Sequence, residues 1–355
     1  MRVTAVDLIP YALPFEEPYL TARGRLERRE MILVRLRTDE AVEGLGEAVP
    51  FLRGGPSLTE LERELRQRAA PALLGMELDP DRPRTENPSL ELLAPQVGAA
   101  IEIARLDLEA RLRGERVWQA LGAQGVEPVP CNATLAAGDP AAVAERASHW
   151  AERGFTTFKL KAGLPGDVRQ VEAVRASVGP HARIRVDANG AWSPQEAALR
   201  IAGMERWGLE LVEQPAPSLE DLALVRGQTA VPIAADESVS SAADARRAVE
   251  LGACQLATAK LAKTGGITGA RAIASHLPTY LSSALDGPVG IAAAAHVAQA
   301  LREPPRYAQG LATQLLFSET VASRGCELEG PLLRLPEGPG LGVELDDATL
   351  ARHRL

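Results

Sequence analysis

The sequence predicts an α/β protein in which a barrel of parallel strand–helix units follows an α+β domain. Three observations lead there. Short apolar runs that stop on a charged residue recur through 158–263: FKLKAG (158–163), IRVDANG (184–190), LELVEQP (209–215), PIAADES (232–238) and ATAKLAK (257–263). Their spacing is regular, with 26 residues from Lys161 to Asp187, 26 from Asp187 to Glu213, 23 from Glu213 to Asp236 and 24 from Asp236 to Lys260. A strand, a helix and two short loops consume about that much chain. Residues 1–115 lack this rhythm and read as strands followed by helices.

Taken in order, VTAVDLIPYAL (3–13) alternates as a strand, and 29–50 reads as two strands with a turn at Thr38–Asp39. Residues 18–28 (PYLTARGRLER) and 51–57 (FLRGGPS) read as loops. Helical periodicity follows at 57–75 and, past a Pro-rich charged spacer at 79–88, at 94–114, which ends at a glycine. Residues 115–128 read as a crossing between domains. From Val129 onward, strands are expected at 129–136, 156–162, 183–188, 209–214, 231–236, 255–261 and 278–285, with a last strand-like run at 307–310. Helices are expected between them at 139–154, 165–178, 194–206, 218–227, 240–251, 265–275 and 287–301. Repeated units of this kind favour a parallel sheet, and eight strands favour closure into a barrel over 128–317. An open doubly wound sheet would want a Gly-rich phosphate turn after its first strand, and none follows Val129. The tail, 318–355, is expected to pack back on the first domain.

Composition narrows the function. The chain has 355 residues, 46% of them hydrophobic and 24% charged, as expected of a globular protein. A formal net charge of −8 with no basic stripe argues against a nucleic-acid partner. No run approaches the ~18 apolar residues of a membrane span, and MRVTAVDLIP lacks the apolar core of a signal peptide. The expectation is a cytosolic protein with no membrane partner. Cys131, Cys254 and Cys326 form no C-x-x-C pair and are odd in number, so no disulfide framework is expected; Cys131 and Cys254 lie in apolar runs and read as small buried hydrophobes. None of the five histidines ends a strand, which argues against histidine-based chemistry.

In a barrel the C-terminal strand ends converge on one mouth. Asp187, Glu213 and Asp236 then end the third, fourth and fifth strands as neighbours. With no cationic partner evident from the spacing, three such carboxylates would repel unless a hard divalent cation lay between them. Oxygen-only ligation suits Mg²⁺, and Mn²⁺ could replace it. The plainer alternative is three separate strand-end carboxylates that cap helices or form ion pairs. Lys159 and Lys161 share one face of the second strand. Beside a metal and another ammonium, Lys161 would have a lowered pKa and serve as a general base. Lys260 ends the sixth strand, across the mouth. Lys263 reads as a surface charge, or as a neighbour that depresses Lys260. Asn189 and Glu237 read as groups that orient ligands and lysines, and Asp286 as either a helix N-cap or a polar contact at the mouth. Such a site would acidify the proton α to a bound carboxylate, giving racemisation, elimination or cycloisomerisation. The alternative from another class is a barrel that binds a metal–carboxylate ligand without turnover.

These residues resemble the enolase superfamily and, within it, the muconate-lactonizing subgroup. KLK (159–161) matches the subgroup's K-x-K, DAN (187–189), EQP (213–215) and DES (236–238) its metal-ligand motifs, and AKLAKTGG (259–266) its sixth-strand lysine. The resemblance implies a modified TIM barrel, (β/α)7β, with the α+β domain as an N-terminal cap. A mandelate-racemase relative would need a histidine on the seventh strand. TARG (21–24), NAT (132–134), LSSALDGPVGIAAAAHVAQAL (281–301) and YAQGLAT (307–313) most resemble o-succinylbenzoate synthases of menaquinone biosynthesis, while the D-x-D of dipeptide epimerases is absent from YAQGLAT. N-acylamino acid racemases and muconate cycloisomerases share the same site. The resemblance implies a Mg²⁺-dependent lyase in which Lys161 takes the α-proton, Lys260 faces it and Lys159 helps hold a small-molecule carboxylate. Thr21, Arg23, Asn132, Ser283, Asp286 and Lys263 are then candidate substrate contacts. Barrels of this group often assemble, so homo-oligomers are allowed.

Overall fold

The computed structural model describes residues 1–21, 24–52, 54–78, 93–301 and 307–355, with the side chains of residues 20, 21 and 24 outside the description. Strands β1 (Val3–Thr21) and β2 (Gly24–Thr38) form a long antiparallel hairpin, and β3 (Glu43–Ala48) pairs with β2. Residues 18–28, expected as a loop, are largely the far end of this hairpin, with Tyr19 opposite Leu26 and Thr21 opposite Gly24. Pro14 and Pro18 have no N–H to give the ladder. The register slips between Pro14 and Tyr19 and then resumes.

Helix α1 (Leu58–Glu64) starts in a capping box: Ser57 Oγ accepts from the Glu60 N–H and the Glu60 carboxylate accepts from the Ser57 N–H at 2.8 Å. It widens into a π turn (Leu65–Ala69) before α2 (Ala70–Leu73), whose Pro71 offers no N–H. Helix α3 (Pro95–Leu112) lies directly on β3. The contact needs glycine: a Cβ on Gly46 would come within 1.9 Å of the Ala100 carbonyl oxygen, and one on Gly44 within 2.3 Å of that of Ala104. A short helix, α4 (Val117–Ala120), occupies the expected crossing.

The run at 129–136 was expected as one strand and splits in two. β4 (Val129–Pro130) pairs antiparallel with the tail, and β5 (Ala133–Leu135) opens the barrel. From there strands and helices alternate: α5 (Pro140–Glu152), β6 (Thr157–Lys161), α6 (Asp167–Val178), β7 (Arg183–Asp187), α7 (Pro194–Glu205), β8 (Leu209–Glu213), α8 (Leu219–Arg226), β9 (Ile233–Ala235), α9 (Ala242–Leu251) and β10 (Leu256–Ala259). A short unexpected helix, α10 (Leu261–Thr264), follows β10, and the helix expected at 265–275 is α11 (Ile267–Ala274), the two separated by Gly265 at φ +75° and Gly266 at φ +123°. β11 (Thr279–Leu281) and α12 (Pro288–Gln299) complete the series. The seven strands β5 to β11 lie side by side in chain order, all parallel. The expected eighth strand is reduced to two bridges, Gln309 with Cys131 and Gly310 with Ser282. They still join the two ends of the sheet: the Asn132 N–H donates to Gln309 O at 2.9 Å and the Gly310 N–H to Leu281 O at 2.8 Å. Cys131 and Cys254 are buried, as expected. No helix among the described residues is long and apolar enough to cross a membrane.

The tail forms β12 (Ala322–Arg324), β13 (Glu327–Glu329), β14 (Leu332–Arg334), β15 (Glu344–Leu345) and α13 (Asp347–His353). β13 and β14 extend β4, while the Ser318 and Leu355 N–H groups donate to the carbonyls of Pro14 and Pro10 on β1 at 3.1 and 3.0 Å. Asp107 on α3 holds three parts together. Fully buried, it accepts from the Leu45 N–H (2.8 Å), the Leu341 N–H (2.6 Å) and Arg111 Nε (3.0 Å). Burial raises its carboxyl, with Arg111 and the two amides opposing. Asp107→Ala leaves Arg111 Nε and two buried amides without this acceptor and is expected to cost about 3 kcal/mol. A urea midpoint equal to the parent's would show that these bonds do not hold the tail to the first domain.

Candidate active site

Strand register brings the charged residues together. Lys161 on β6 sits opposite Asp187 on β7, and Asp187 opposite Glu213 on β8. Glu213 is paired with Ala234 on β9, two residues before Asp236. Asp187, Glu213 and Asp236 are all fully buried. The sequence reading left these carboxylates without cationic partners, and the structure corrects that. Lys159 Nζ lies 2.9 Å from Asp187 Oδ2 and 2.6 Å from Glu213 Oε2, and Lys161 Nζ lies 2.6 Å from Asp187 Oδ2. Lys260 pairs with Asp236 Oδ2 and Lys263 with Asp236 Oδ1 (2.7 Å). Strands β6 and β10 flank β7, β8 and β9, so Lys161 and Lys260 bracket the three carboxylates.

The electrostatics follow from burial against this pairing. Burial alone would raise Asp187 and Asp236, but two close lysines on each bring both below the usual carboxylate range. Glu213 goes the other way: burial and the Asp187 charge raise it despite Lys159. Burial pulls Lys159 down, yet Asp187 and Glu213 hold it well above the ordinary lysine value. Lys260 is likewise raised by Asp236 and Glu237 against its burial. Lys260 is thus raised on balance even with Lys263 beside it, while Lys263 itself is lowered, by burial and by Lys260. Lys263 is not a surface charge, since it donates into the interior to Thr258 O at 2.8 Å and to the Asp236 backbone carbonyl.

Asn189 and Glu237 lie beside the charged cluster. Asn189 accepts from Lys161 Nζ at 3.1 Å, donates its N–H to Asp187 Oδ1 at 3.0 Å and its amide to Glu237 at 3.0 Å. Above the cluster opens a cavity of about 470 Å³. Its floor carries Lys159, Lys161, Asp236, Lys260 and Lys263, and its wall includes Tyr19, Phe51, Leu52, Leu164, Ser283 and Leu285. Four substrate candidates fare differently. Asn132 is buried, donates to Thr134 Oγ1 at 3.1 Å and stays outside the cavity lining, where Thr134 appears instead. Asp286 is neither the α12 N-cap, which is Gly287, nor part of the lining; its carboxylate accepts from Ser283 Oγ and the Ala284 N–H, both at 2.7 Å. Arg23 lies outside the described residues, and Thr21 is placed by its backbone alone, at the end of β1.

Two inward groups were missed. Tyr280 on β11 donates its phenol to Glu213 Oε2, and the fully buried Arg185 on β7 stacks 5.0 Å from the Tyr280 ring and 5.8 Å from that of Tyr307. Arg185 was legible in principle, since it sits two residues before Asp187 and so shares its face. Gln214 was missed as well. At φ +38°, its side-chain oxygen accepts from the Asp236 N–H at 2.8 Å and so fixes the start of the β9 turn.

Among the described residues, no three His, Cys, Asp or Glu side chains stand in a ready-made metal cage; ammonium nitrogens lie against the carboxylate oxygens. The donor set nevertheless suits a hard cation. It is all oxygen, and Glu213 Oε1 is buried with no hydrogen-bond partner while Lys159 and Tyr280 take Oε2. Tyr280→Phe removes a donor from this buried carboxylate and is expected to cost about 1–3 kcal/mol, read by urea denaturation. An unchanged midpoint would show that the phenol does not hold Glu213.

Comparison with known proteins places the chain. Residues 4–122 match the mandelate racemase/muconate lactonizing enzyme N-terminal domain, and residues 142–349 the enolase C-terminal domain-like family. The chain is 31% identical to an L-Ala-D/L-Glu epimerase of Bacillus subtilis (strain 168), over 97% of each chain. It is 42% identical to an o-succinylbenzoate synthase of Thermobifida fusca (strain YX) over 202 residues, 55% of this chain and 62% of that one. A dipeptide epimerase from Enterococcus faecalis V583, solved with Mg and the dipeptide L-Leu-L-Tyr, superposes with a TM-score of 0.87 at 29% identity, covering 97% of this chain and 100% of that one.

Proposed function

The chain belongs to the mandelate racemase/muconate lactonizing enzyme family of the enolase superfamily, and from that premise we propose that it is an o-succinylbenzoate synthase that abstracts the proton α to a carboxylate. The observation that carries the reaction class is the bracket of Lys161 and Lys260 around three buried strand-end carboxylates. Asp187, Glu213 and Asp236 would hold Mg²⁺, which when bound would supply positive charge to the anion left by proton loss.

The rest is done by the chain's own side chains. Lys159 helps draw the substrate carboxylate to the floor of the cavity. Lys161 Nζ takes the α-proton of 2-succinyl-6-hydroxy-2,4-cyclohexadiene-1-carboxylate, and the C–H electrons spread into the ring and carboxylate. Lys260, on the opposite side, stabilises that charge by its own positive charge over the planar system. Lys161 then gives the proton to the departing hydroxyl. The C–O bond breaks, water leaves on the same side and the ring becomes aromatic. The cavity wall keeps bulk water from the reacting carbon.

Two findings favour the synthase. The 42% identity to the Thermobifida fusca synthase exceeds that to the epimerase, though over a shorter stretch. The closing run YAQGLAT also sends no carboxylate into the cavity; Gln309 is spent on barrel closure, accepting from the Leu281 N–H, and only Thr313 lines the cavity. The second reading is an N-acylamino acid racemase or a muconate-type cycloisomerase, since lysines on both sides are what a two-base racemisation needs.

Purified protein is expected to convert the cyclohexadiene carboxylate to the aromatic product with Mg²⁺ and not with EDTA, followed by absorbance. Lys161→Ala is expected to lower the rate about 10²–10⁴-fold. Parent-like turnover by that variant would sink the assignment of the base. Failure of the parent to convert, with α-deuterium exchange into N-succinyl amino acids, would replace the synthase by the racemase.

A further inference from the structure

Arg29 lies on β2 in the first domain, yet its guanidinium ends between two loops of the cavity wall. It is 4% exposed. Nη2 donates to the carbonyl of Pro50, which precedes Phe51 and Leu52, and at 2.9 Å to the carbonyl of Ala284, while Nε donates to that of Leu285 at 3.3 Å. Phe51, Leu52, Ala284 and Leu285 all line the cavity. One buried side chain thus ties a first-domain loop to a barrel loop at the point where both face the substrate space.

The barrel loop needs such a tie. Leu285 adopts φ +64°, a left-handed conformation that is costly for a branched side chain and persists only when its surroundings enforce it. Its neighbours are fixed from the same side. Glu47 on β3 accepts from the Gly287 N–H at 3.0 Å and the Gly290 N–H at 2.7 Å, closing the N-terminus of α12, and Tyr11 donates to the same carboxylate. Only glycine permits this approach, because a Cβ on Gly287 would come within 2.2 Å of Glu47 Oε1. Burial pushes the Arg29 guanidinium down to about 10, with Asp286 and Glu47 limiting the fall, so it remains a cation at neutral pH.

We infer that Arg29 is a positioning residue that holds the 50–52 and 284–285 loops in one arrangement and thereby sets which substrates the cavity admits. This rests on the cavity being the substrate site, as proposed above. The group acts through Phe51, Leu52 and Leu285, with no contact to the reacting atoms. Its loss is therefore expected to change recognition of the distal part of a substrate and to leave proton abstraction at the floor intact.

Two measurements on the 355-residue chain test this. In Arg29→Met, amide hydrogen exchange is expected to rise about tenfold or more in peptides spanning 50–57 and 282–290, with β6 and β7 unchanged. Unchanged exchange in either loop would overturn the tie, and this readout does not depend on which reaction the protein catalyses. In kinetics, the ratio of KM for N-succinyl-L-phenylalanine to that for N-succinyl-L-alanine, followed by α-deuterium exchange, is expected to rise about tenfold with kcat on the alanine compound near the parent's. Equal losses of kcat on both compounds, with the KM ratio constant, would reject a role in selectivity. Arg29→Lys keeps the charge but has one donor centre for three carbonyls, and is expected to fall between parent and Arg29→Met in both readouts; a lysine variant no better than methionine would overturn the clasp. A parent that exchanges neither compound counts against the racemase reading alone, and the synthase substrate then replaces this pair: Arg29→Met is expected to raise its KM with little change in kcat.

Discussion

Placing three carboxylates inside a barrel mouth is costly unless each charge is compensated, because removing an ion from water costs several kcal/mol even after relaxation. Here compensation is supplied by lysines from β6 and from the turn after β10, and it is shared unequally. Asp187 and Asp236 each have two ammonium groups at contact distance, whereas Glu213 has Lys159 and the Tyr280 phenol on one oxygen and, among the described residues, no hydrogen-bond partner on the other. The opposite pKa directions of these acids follow from that inequality, not from depth, since all are fully buried. Glu213 Oε1 is the place in the cluster where further positive charge has most to gain.

The barrel makes such a cluster affordable by fixing where each charge stands. The parallel register sets Lys161 beside Asp187 and Asp187 beside Glu213 without any loop having to be ordered for the purpose. Immediately past two of the carboxylates the chain turns through left-handed residues, Asn189 at φ +48° and Gln214 at φ +38°. Asparagine tolerates that region; glutamine rarely occupies it. Gln214 is held there because its buried side chain bonds the Asp236 N–H and Ser238 Oγ on one side and Ala216 O on the other. Local strain is thus exchanged for a fixed relation between the Glu213 and Asp236 strand ends.

What could be read from the sequence divides along the same line. Strand ends were legible because spacing and parity determine them: an apolar run that stops on Asp187 or Glu213 has few ways to fold, and Lys159 and Lys161 must share a face. Loop residues were not. Lys263 follows Lys260 by three residues, and only the tight turn of α10 folds it back onto Asp236. Asn132 fell where one apparent strand divides between two sheets, and Asp286 where the loop folds on itself through Ser283. The hairpin at 18–28 was hidden by its prolines, which break the alternation although pairing resumes beyond them. The eighth strand was sensed from YAQGLAT, but its reduction to two bridges depends on contacts with both edges of the sheet, which no local pattern encodes.

The division has a consequence for how function is assigned in this fold. K-x-K, DAN, EQP and DES resemble the whole muconate-lactonizing subgroup, so strand-end chemistry points to a reaction class: removal of a proton next to a carboxylate. Those motifs do not choose among substrates that share a carboxylate, and in this chain the surroundings of the cluster are loops whose positions are set at a distance. Phe51 and Leu52 come from the first domain, Leu285 from the barrel, and both segments take their orientation from backbone carbonyls gripped by Arg29. Discrimination between substrates that share a carboxylate rests on small differences in packing against such a wall, about 1–3 kcal/mol per methylene-sized change. On the proposed reading, the buried Arg29 contact acts on the choice of substrate through the loops it holds, without touching the substrate itself.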